Sequence, residues 1–360
     1  MSNARSCSVY ETLLHRGVRA VRLENERFAA TVLVDKGADI YELVDKRTGI
    51  DVLWKSPWGL RRPGGGIPTA GNSEVAWLEA YEGGWQEIFP NGGNACLYKG
   101  VEMNFHGEAS AIAWDYQIEQ RPDAALLHLS VHLARSPFHV ERTMRIEPGR
   151  AALWIDERIT NTAREPMDYM WGHHPAYGAP FLSGACRIDT NAQALVADDR
   201  HNPPHNPLVP GTRVTWPISQ HDGQSLDLRL VPGPDTPRGM MAYLTEFADP
   251  AAWYAITNTE LGIGVGLVWQ RDDFPHAWLW QEMHASPGYP WYGSVYVMAI
   301  EPFTSMPGHG LVAMMEKTGM HRTLKPGATA TASLCALLYE AREPVVRITA
   351  GGEIATAAAT

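Results

Sequence analysis

The sequence predicts an all-β protein built as a large antiparallel β-sandwich with long loops. Three observations carry this prediction. Apolar and polar residues alternate along several short segments, turn residues interrupt those segments, and few stretches have helical periodicity. The 33 glycines and 26 prolines are spread over the whole chain, and short strands with regularly spaced turns are typical of sandwiches and barrels.

The strands predicted in the first half of the chain are short apolar runs that end in turn residues. Residues 28–34 are apolar and lead into Asp35-Lys36-Gly37, a sequence typical of turns. Within residues 127–133, four aliphatic side chains alternate with polar ones, as expected of a strand with one buried face. Residues 153–159 form a third run, which ends before Asn161.

Three runs predict strands in the second half, at residues 262–269, 294–300 and 331–339. A short helix is predicted for residues 240–247, and the prolines and glycine on either side keep it brief. Elsewhere we expect long loops.

Two irregular segments are predicted as long loops, at residues 56–94 and 201–210, because glycine or proline recurs within them. Long loops in a compact domain are often functional. Residues 1–340 are predicted to form a single domain, and residues 341–360, which are small and polar, a loosely ordered tail.

Composition excludes several classes of protein. The chain carries 30 lysines and arginines against 40 aspartates and glutamates, a formal charge of −10, so we expect no nucleic-acid partner. No apolar run reaches the roughly 20 residues that span a bilayer. The first ten residues lack the apolar segment of a secretory signal, and the four cysteines form no CxxC pair. We therefore expect a cytoplasmic monomer or homodimer with no membrane partner.

The motifs for nucleotides, catalytic metals and nucleophilic serine are absent. The chain contains no GxxxxGK[ST], GxGxxG, HExxH or GxSxG sequence. Chemistry would therefore come from histidine and carboxylate side chains, and we expect no cofactor and no metal.

Three segments carry candidate groups for acid–base chemistry. His106 precedes a glycine and is, taken alone, more typical of a turn histidine. His173 and His174 alternate along a predicted strand, so only one can face a given side; the inward one is either a hydrogen-bonded core residue or a site residue. Glu301 follows an uncharged run and ends a strand before Pro302. Because a buried carboxylate is costly unless it is paired or functional, Glu301 is the sharpest candidate.

These segments together resemble motifs of the aldose 1-epimerase, or galactose mutarotase-like, superfamily. The counterparts are His106-Gly107 for "HG", residues 174–177 for "HPAF" and Glu301-Pro302 for "EP". Residues 85–90 resemble the family's "FP" loop, residues 37–40 its opening strand, and residues 324–327 its closing turn. The resemblance spans about residues 18–340 and is nearest to a divergent bacterial branch that is often described only as a domain of unknown function.

The resemblance implies a large β-sandwich that interconverts the α and β anomers of a free sugar or sugar derivative by acid–base ring opening. By this analogy Glu301 is the base, His174 the acid, and His106 a hydrogen-bond donor to the reacting oxygens. Histidine with an ordinary pKa near ~6.5 gives up a proton at neutral pH. The side chains expected to bind substrate are Trp85, Gln86, Asn91, Trp171, Tyr177 and Trp280.

Two other functions remain open from the sequence. The loop at residues 91–94 lacks the arginine that clamps sugar hydroxyls in galactose mutarotases, which favours a non-catalytic carbohydrate-binding or sensing domain on the same fold. A divalent metal held by His106, His174 and Glu301 would instead give a metal-dependent sugar isomerase or lyase.

Overall fold

Most of the chain is arranged in two large antiparallel β-sheets. The computed structural model describes residues 6–61, 71–221 and 223–357. The helices are α1 (Ser73–Ala80) and α2 (Leu311–Lys317), with 3-10 turns at His15–Gly17 and Ala109–Ala111. The strands are β1 (Cys7–Leu13), β2 (Arg19–Asn25), β3 (Phe28–Leu33), β4 (Asp39–Asp45), β5 (Ile50–Asp51), β6 (Trp85–Ile88), β7 (Cys96–Tyr98), β8 (Val101–Met103), β9 (Asp115–Gln120), β10 (Ala125–His132), β11 (Phe138–Ile146), β12 (Ala152–Asn161), β13 (Met167–Tyr169), β14 (Gly172–Gly178), β15 (Cys186–Thr190), β16 (Ala192–Ala197), β17 (Arg213–Thr215), β18 (Ile218–His221), β19 (Gln224–Asp227), β20 (Arg238–Phe247), β21 (Ala251–Asn258), β22 (Ile263–Gln270), β23 (His276–Met283), β24 (Tyr296–Phe303), β25 (Arg322–Leu324), β26 (Thr329–Tyr339), β27 (Val345–Ile348) and β28 (Ile354–Thr356).

The larger sheet has 12 strands in the order β1-β2-β3-β4-β6-β14-β24-β23-β20-β16-β17, with β5 paired to β4. The smaller sheet has eight, in the order β15-β21-β22-β26-β12-β11-β10-β9. The remaining described strands form four two-stranded pairs: β7 with β8, β13 with β25, β18 with β19, and β27 with β28.

The main core contains side chains from both large sheets. Leu23 and Ile88 of the larger sheet and Val140 and Ile155 of the smaller sheet all belong to it and are almost fully buried. A fully buried aliphatic side chain of this kind contributes about 1.5–3 kcal/mol. This two-layer packing confirms the predicted all-β sandwich.

A buried ion network links the two sheets. Arg142 on β11 contacts Glu157 on β12 at 2.6 Å and also reaches Glu87 on β6, in the larger sheet. The guanidinium further donates to the carbonyl of Ala38 at 3.0 Å. Such a network holds together only because the cation and the carboxylates compensate one another in a dry interior.

Two local predictions about strands were wrong. Residues 240–247 are part of strand β20, which is paired on one side with β16 and on the other with β23. A buried strand of this length cannot be distinguished from a helix by periodicity alone. Hydrogen bonding to a neighbouring strand on each edge makes this segment a strand. Strand β24 also continues through Pro302, which pairs with Ala277, so Glu301 lies inside the strand and not at its end.

The C-terminal segment is more ordered than expected. Strands β27 and β28 form a hairpin, and Val345 and Ile348 are buried, so a loosely ordered tail from residue 341 is incorrect for residues 345–356. A side chain at position 266 would come within 2.7 Å of Ile348. Gly266 therefore leaves the space in β22 that the hairpin fills.

No helix in the described part of the chain is long and apolar enough to cross a membrane.

Candidate active site

A cavity of about 380 Å³ lies over the middle of the larger sheet. Its floor comes from β14, β24, β23 and β20, and one wall comes from α1, which lies within the segment predicted as loop. Residues 62–70 of that segment lie outside the described residues. The volume falls in the range of about 300–1,000 Å³ that is common for small-molecule sites.

The three predicted catalytic side chains meet in this cavity. The His174 Nε2 atom lies 3.6 Å from Glu301 Oε1, and the His106 and His174 rings are 5.6 Å apart between centres. The sequence-based expectation that these distant segments converge is therefore met, whereas the catalytic role of each residue stays a prediction.

The peptide at Gly93 fixes the orientation of His106. The backbone N–H of Gly93 donates to the ring atom His106 Nδ1 at 3.2 Å, and the backbone N–H of His106 donates to the Gly93 carbonyl at 3.0 Å. A side chain at Gly93, where φ is +75°, would collide with the Gly308 backbone. Because Nδ1 accepts, the neutral ring carries its proton on Nε2. Burial, assisted by His174, holds the pKa of His106 well below its usual value.

Burial also determines the proton balance of the His174–Glu301 pair. Burial lowers the pKa of His174 to about 4, which corrects the expectation of an ordinary pKa near ~6.5. Burial raises the pKa of Glu301 well above 4.5. Glu301 Oε2 is buried and has no hydrogen-bond partner among the described residues. Burial therefore favours the uncharged form of each partner, the neutral imidazole and the protonated carboxyl group.

Aromatic side chains surround the pair. Tyr81 Oη lies 3.4 Å from His174 Nδ1, and burial keeps the pKa of Tyr81 well above 10. Trp77 stacks on Tyr81 with ring centres 4.6 Å apart. Trp280, the one predicted substrate-binding residue that lines the cavity, lies 5.9 Å from the His174 ring. Indole faces of this kind can pack on the C–H face of a sugar ring.

Five predicted substrate-binding side chains lie outside the cavity lining: Trp85, Gln86, Asn91, Trp171 and Tyr177. The assignment of a binding role to them is corrected for each, because all five side chains are buried and each forms a hydrogen bond inside the protein.

The two tryptophans of this group contribute to the core. Trp85 Nε1 donates to His173 Nδ1 at 3.2 Å, and Trp171 Nε1 donates to Glu87 in the network that links the sheets. Tyr177 is likewise in the core, where its hydroxyl lies 2.6 Å from that of Tyr254.

The two amides support the backbone. The Gln86 amide donates to the Gly83 carbonyl at 2.6 Å and is fully buried. The Asn91 amide donates to the Asn104 carbonyl at 2.8 Å, and its oxygen accepts from the Leu311 N–H at 2.6 Å. Asn91 therefore holds the loop beneath His106 against the start of α2.

Sequence reasoning missed several cavity residues. Tyr81 is in a segment that the sequence presents only as a glycine-rich loop. Asp198, Tyr243 and His309 line the far end of the cavity. No motif contains them, and their proximity arises from the strand order alone.

The described residues offer two groups of closely spaced metal-ligand atoms, and neither is the predicted set. His106, His174 and Glu301 do not bring three donor atoms within 4.8 Å of one another, whereas one group in the core and one at the far end of the cavity do. In the core group Glu87 and Glu157 already contact Arg142. The alternative of a metal held by His106, His174 and Glu301 thus gains no geometric support from the described residues.

Fold and site together define a large antiparallel β-sandwich with a buried histidine–carboxyl pair in a cavity lined by aromatic side chains. The chain belongs to the family described as a domain of unknown function, DUF4432, whose sequence profile matches residues 15–336. No match is found among curated proteins.

Solved structures show the same fold. A proposed aldose 1-epimerase from Klebsiella pneumoniae is 18% identical, with a TM-score of 0.73 over 93% of this chain and 84% of that one. A galactose mutarotase-like protein from Clostridium acetobutylicum is 15% identical, with a TM-score of 0.63 over 93% and 99%. A galactose mutarotase related enzyme from Lactobacillus acidophilus is 16% identical, with a TM-score of 0.59 over 89% and 97%. At these identities the likeness shows the fold alone, and that fold is the one that the resemblance implies.

Proposed function

We propose that the protein is an aldose 1-epimerase-like isomerase that interconverts the anomers of a free sugar or sugar derivative. The observation that carries the proposal is the His174–Glu301 pair, with 3.6 Å between Nε2 and Oε1, in a cavity lined by tryptophan side chains. Ring opening needs one group that accepts the proton of the C1 hydroxyl and one that donates a proton to O5.

The chemistry balances with the single proton of this pair. One partner takes the proton of the C1 hydroxyl while the C1–O5 bond breaks, its electron pair moves to O5, and the other partner protonates O5. The aldehyde then rotates about C1–C2, and the reverse sequence closes the ring on its other face. Glu301 as base and His174 as acid is the assignment implied by the resemblance, and it requires an ionised carboxyl group and a protonated imidazole at the moment when the ring opens.

His106 supports the proposed step without exchanging its own proton. Its Nδ1 accepts from Gly93, so the Nε2–H is the group available to the reacting oxygens. A neutral imidazole can stabilise a developing oxyanion by donating such a hydrogen bond. Cytoplasmic location and a monomeric or homodimeric state stay predictions from the sequence.

The proposal is tested by measuring anomer exchange by saturation-transfer NMR for aldohexoses, aldopentoses and uronic acids. We expect exchange above the buffer rate for at least one sugar, and a decrease of about 10²–10⁴-fold in Glu301→Gln, because the variant keeps the shape but cannot carry the proton. Unchanged circular dichroism would show an intact fold. Wild-type exchange in Glu301→Gln would refute the assignment, and sugar binding without exchange in the wild-type protein would favour the non-catalytic carbohydrate-binding domain.

A further inference from the structure

A second group of buried polar side chains lies at the far end of the same cavity. This distal cluster consists of Asp198, which follows β16, Tyr243 on β20, and His309 just before α2. Glu301 and Tyr243 both pair with Trp278 on the strand between them. Two strand spacings put their backbones about 10 Å apart. A ligand whose C1 lies at the His174–Glu301 pair would thus extend its other end toward the distal cluster.

The Asp198 carboxylate holds this cluster together. It accepts the backbone N–H groups of Arg200 and His201, each at 2.7 Å, and the hydroxyl proton of Tyr243. His309 Nε2 lies 2.9 Å from the same carboxylate. Burial alone would raise the pKa of Asp198, but the hydrogen bond from His309 and those from the other donors outweigh it and hold the pKa below the usual value. Asp198 is therefore ionised, and its oxygens are occupied.

This arrangement leaves one atom of His309 unpaired. Because Nε2 is directed at the carboxylate, Nδ1 is the ring nitrogen that remains for a ligand. His309 is 5% exposed, and Nδ1 has no hydrogen-bond partner among the described residues. A buried polar atom without a partner is destabilising, and the ring lines the cavity.

A metal ion explains this cluster less well. Asp198, Asp199 and His309 offer ligand atoms within 4.8 Å of one another. However, the Asp198 oxygens already accept from two backbone N–H groups and from Tyr243, and Asp199 forms an ion pair with Lys317. The carboxylates act as hydrogen-bond acceptors and ion-pair partners in this arrangement.

We infer that His309, positioned by Asp198, binds a hydroxyl group of the sugar remote from C1, so that the distal cluster selects which aldoses the cavity accepts. This inference rests on the proposed function. Arg200 adds hydrogen-bond donors at the same end of the cavity. Its exposed side chain lines the cavity and has no acidic partner among the described residues. The unpartnered His309 Nδ1 and the Arg200 guanidinium together suit a neutral polyhydroxylated ligand, since a hydroxyl group can both donate and accept.

The inference is tested with D-glucose, D-galactose, D-mannose and the analogues of the tightest-binding hexose that lack the hydroxyl at C3, C4 or C6. Dissociation constants are measured by calorimetry and exchange rates by NMR, for the wild-type protein, His309→Ala and Asp198→Asn. His132→Ala is the matched control, because His132 is an exposed histidine that stacks on His139, outside the cavity.

We expect one deoxy analogue to bind the wild-type protein about tenfold more weakly than the parent sugar, the cost of one lost hydrogen bond. His309→Ala should bind the parent about tenfold more weakly and should no longer distinguish it from that analogue, while kcat stays within about threefold. Asp198→Asn should lose discrimination in the same direction, because it no longer orients the ring, and His132→Ala should behave like the wild-type protein.

Equal wild-type affinity for all three analogues and the parent would overturn the inference, even if His309→Ala failed to fold. Retained discrimination in a folded His309→Ala would also overturn it, as would the absence of binding by all three hexoses. Binding that depends on His309 without any anomer exchange would instead support this inference and refute the proposed function.

Discussion

His173 and His174 are neighbours on β14, but they face opposite sides of the larger sheet. His173 points into the core, where Nε2 lies 3.0 Å from Glu157 Oε2 in the network that contains Arg142. His174 points into the cavity, where Nε2 lies 3.6 Å from Glu301 and no cation contacts that carboxyl group among the described residues. The core carboxylate Glu157 has a cation beside it, whereas Glu301, the proposed proton-transfer group, has none among the described residues.

The electrostatics of the two carboxylates differ in the same way. Burial would raise the pKa of Glu157, but His173 and Arg142 outweigh it and hold the pKa at about 2. For Glu301, burial alone raises the pKa well above 4.5. Equal burial thus gives opposite shifts in these two groups, because Glu157 has His173 and Arg142 beside it and Glu301 has no such cation in the described part of the chain. Glu87, which touches the same guanidinium, keeps a raised pKa of about 7 because burial and the charge of Glu157 both raise it.

Replacing one of the two histidines at a time should give the largest difference in activity and stability between the cavity side and the core side. His174→Gln should lower the rate of anomer exchange by about 10²–10⁴-fold while the fold persists, because it removes a proton-transfer group. His173→Gln should keep activity in its folded fraction but lose about 1–3 kcal/mol of unfolding free energy, because buried carboxylates lose a partner. NMR exchange and urea unfolding measure the two effects. Similar losses of activity and stability in both variants would abolish the distinction.

Removing the cation of the core network should produce the next largest effect. Arg142→Met leaves two buried carboxylates facing each other and should reduce the unfolding free energy by about 3–5 kcal/mol, measured by urea unfolding. Arg145→Met is the matched control on the same strand, because its partner Glu147 is partly exposed, and a loss of at most about 1 kcal/mol is expected. If the two variants were equally stable, the network would not hold the sheets together.

The smallest expected effect concerns the pH dependence of stability. The folded-state pKa of Glu301 is raised, so the stability this group contributes is present below the unfolded-state pKa and is lost as pH rises through the folded-state pKa. Glu157 has a lowered pKa and contributes in the opposite sense, with stability lost as pH falls from 4.5 toward about 2. Urea unfolding from pH 4.5 upward should therefore show Glu301→Gln gaining stability relative to the wild-type protein. A difference that does not vary with pH would contradict the raised pKa of Glu301.

The sequence was a good guide where a single strand carries the signal. Alternation at residues 127–133 identified β10, and the same alternation required His173 and His174 to face opposite sides. The uncharged run before Glu301 correctly indicated a buried carboxyl group. These inferences needed no knowledge of which strands are neighbours.

The sequence failed where the outcome depends on strand order. Tyr243 belongs to a run that was predicted as a helix, and only pairing with β16 and β23 makes it a strand that reaches the cavity floor. The apolar and amide residues near the motifs, such as Trp85 and Asn91, were assigned to substrate because proximity along the chain was taken for proximity in space. Asp198 and His309, 111 residues apart, meet by a contact that no local pattern encodes.

The adjacent histidines of β14 make this region unusually sensitive to alignment. Moving the strand by one residue along its neighbours would send each imidazole to the other face of the sheet. A single inserted or deleted residue earlier in the strand would therefore place His173 in the cavity and His174 in the core. When relatives of this chain are compared, a gap misplaced by one position would transfer the proposed acid to the wrong histidine, and the pairing of His174 with Gln86 across β6 is the register by which to check it.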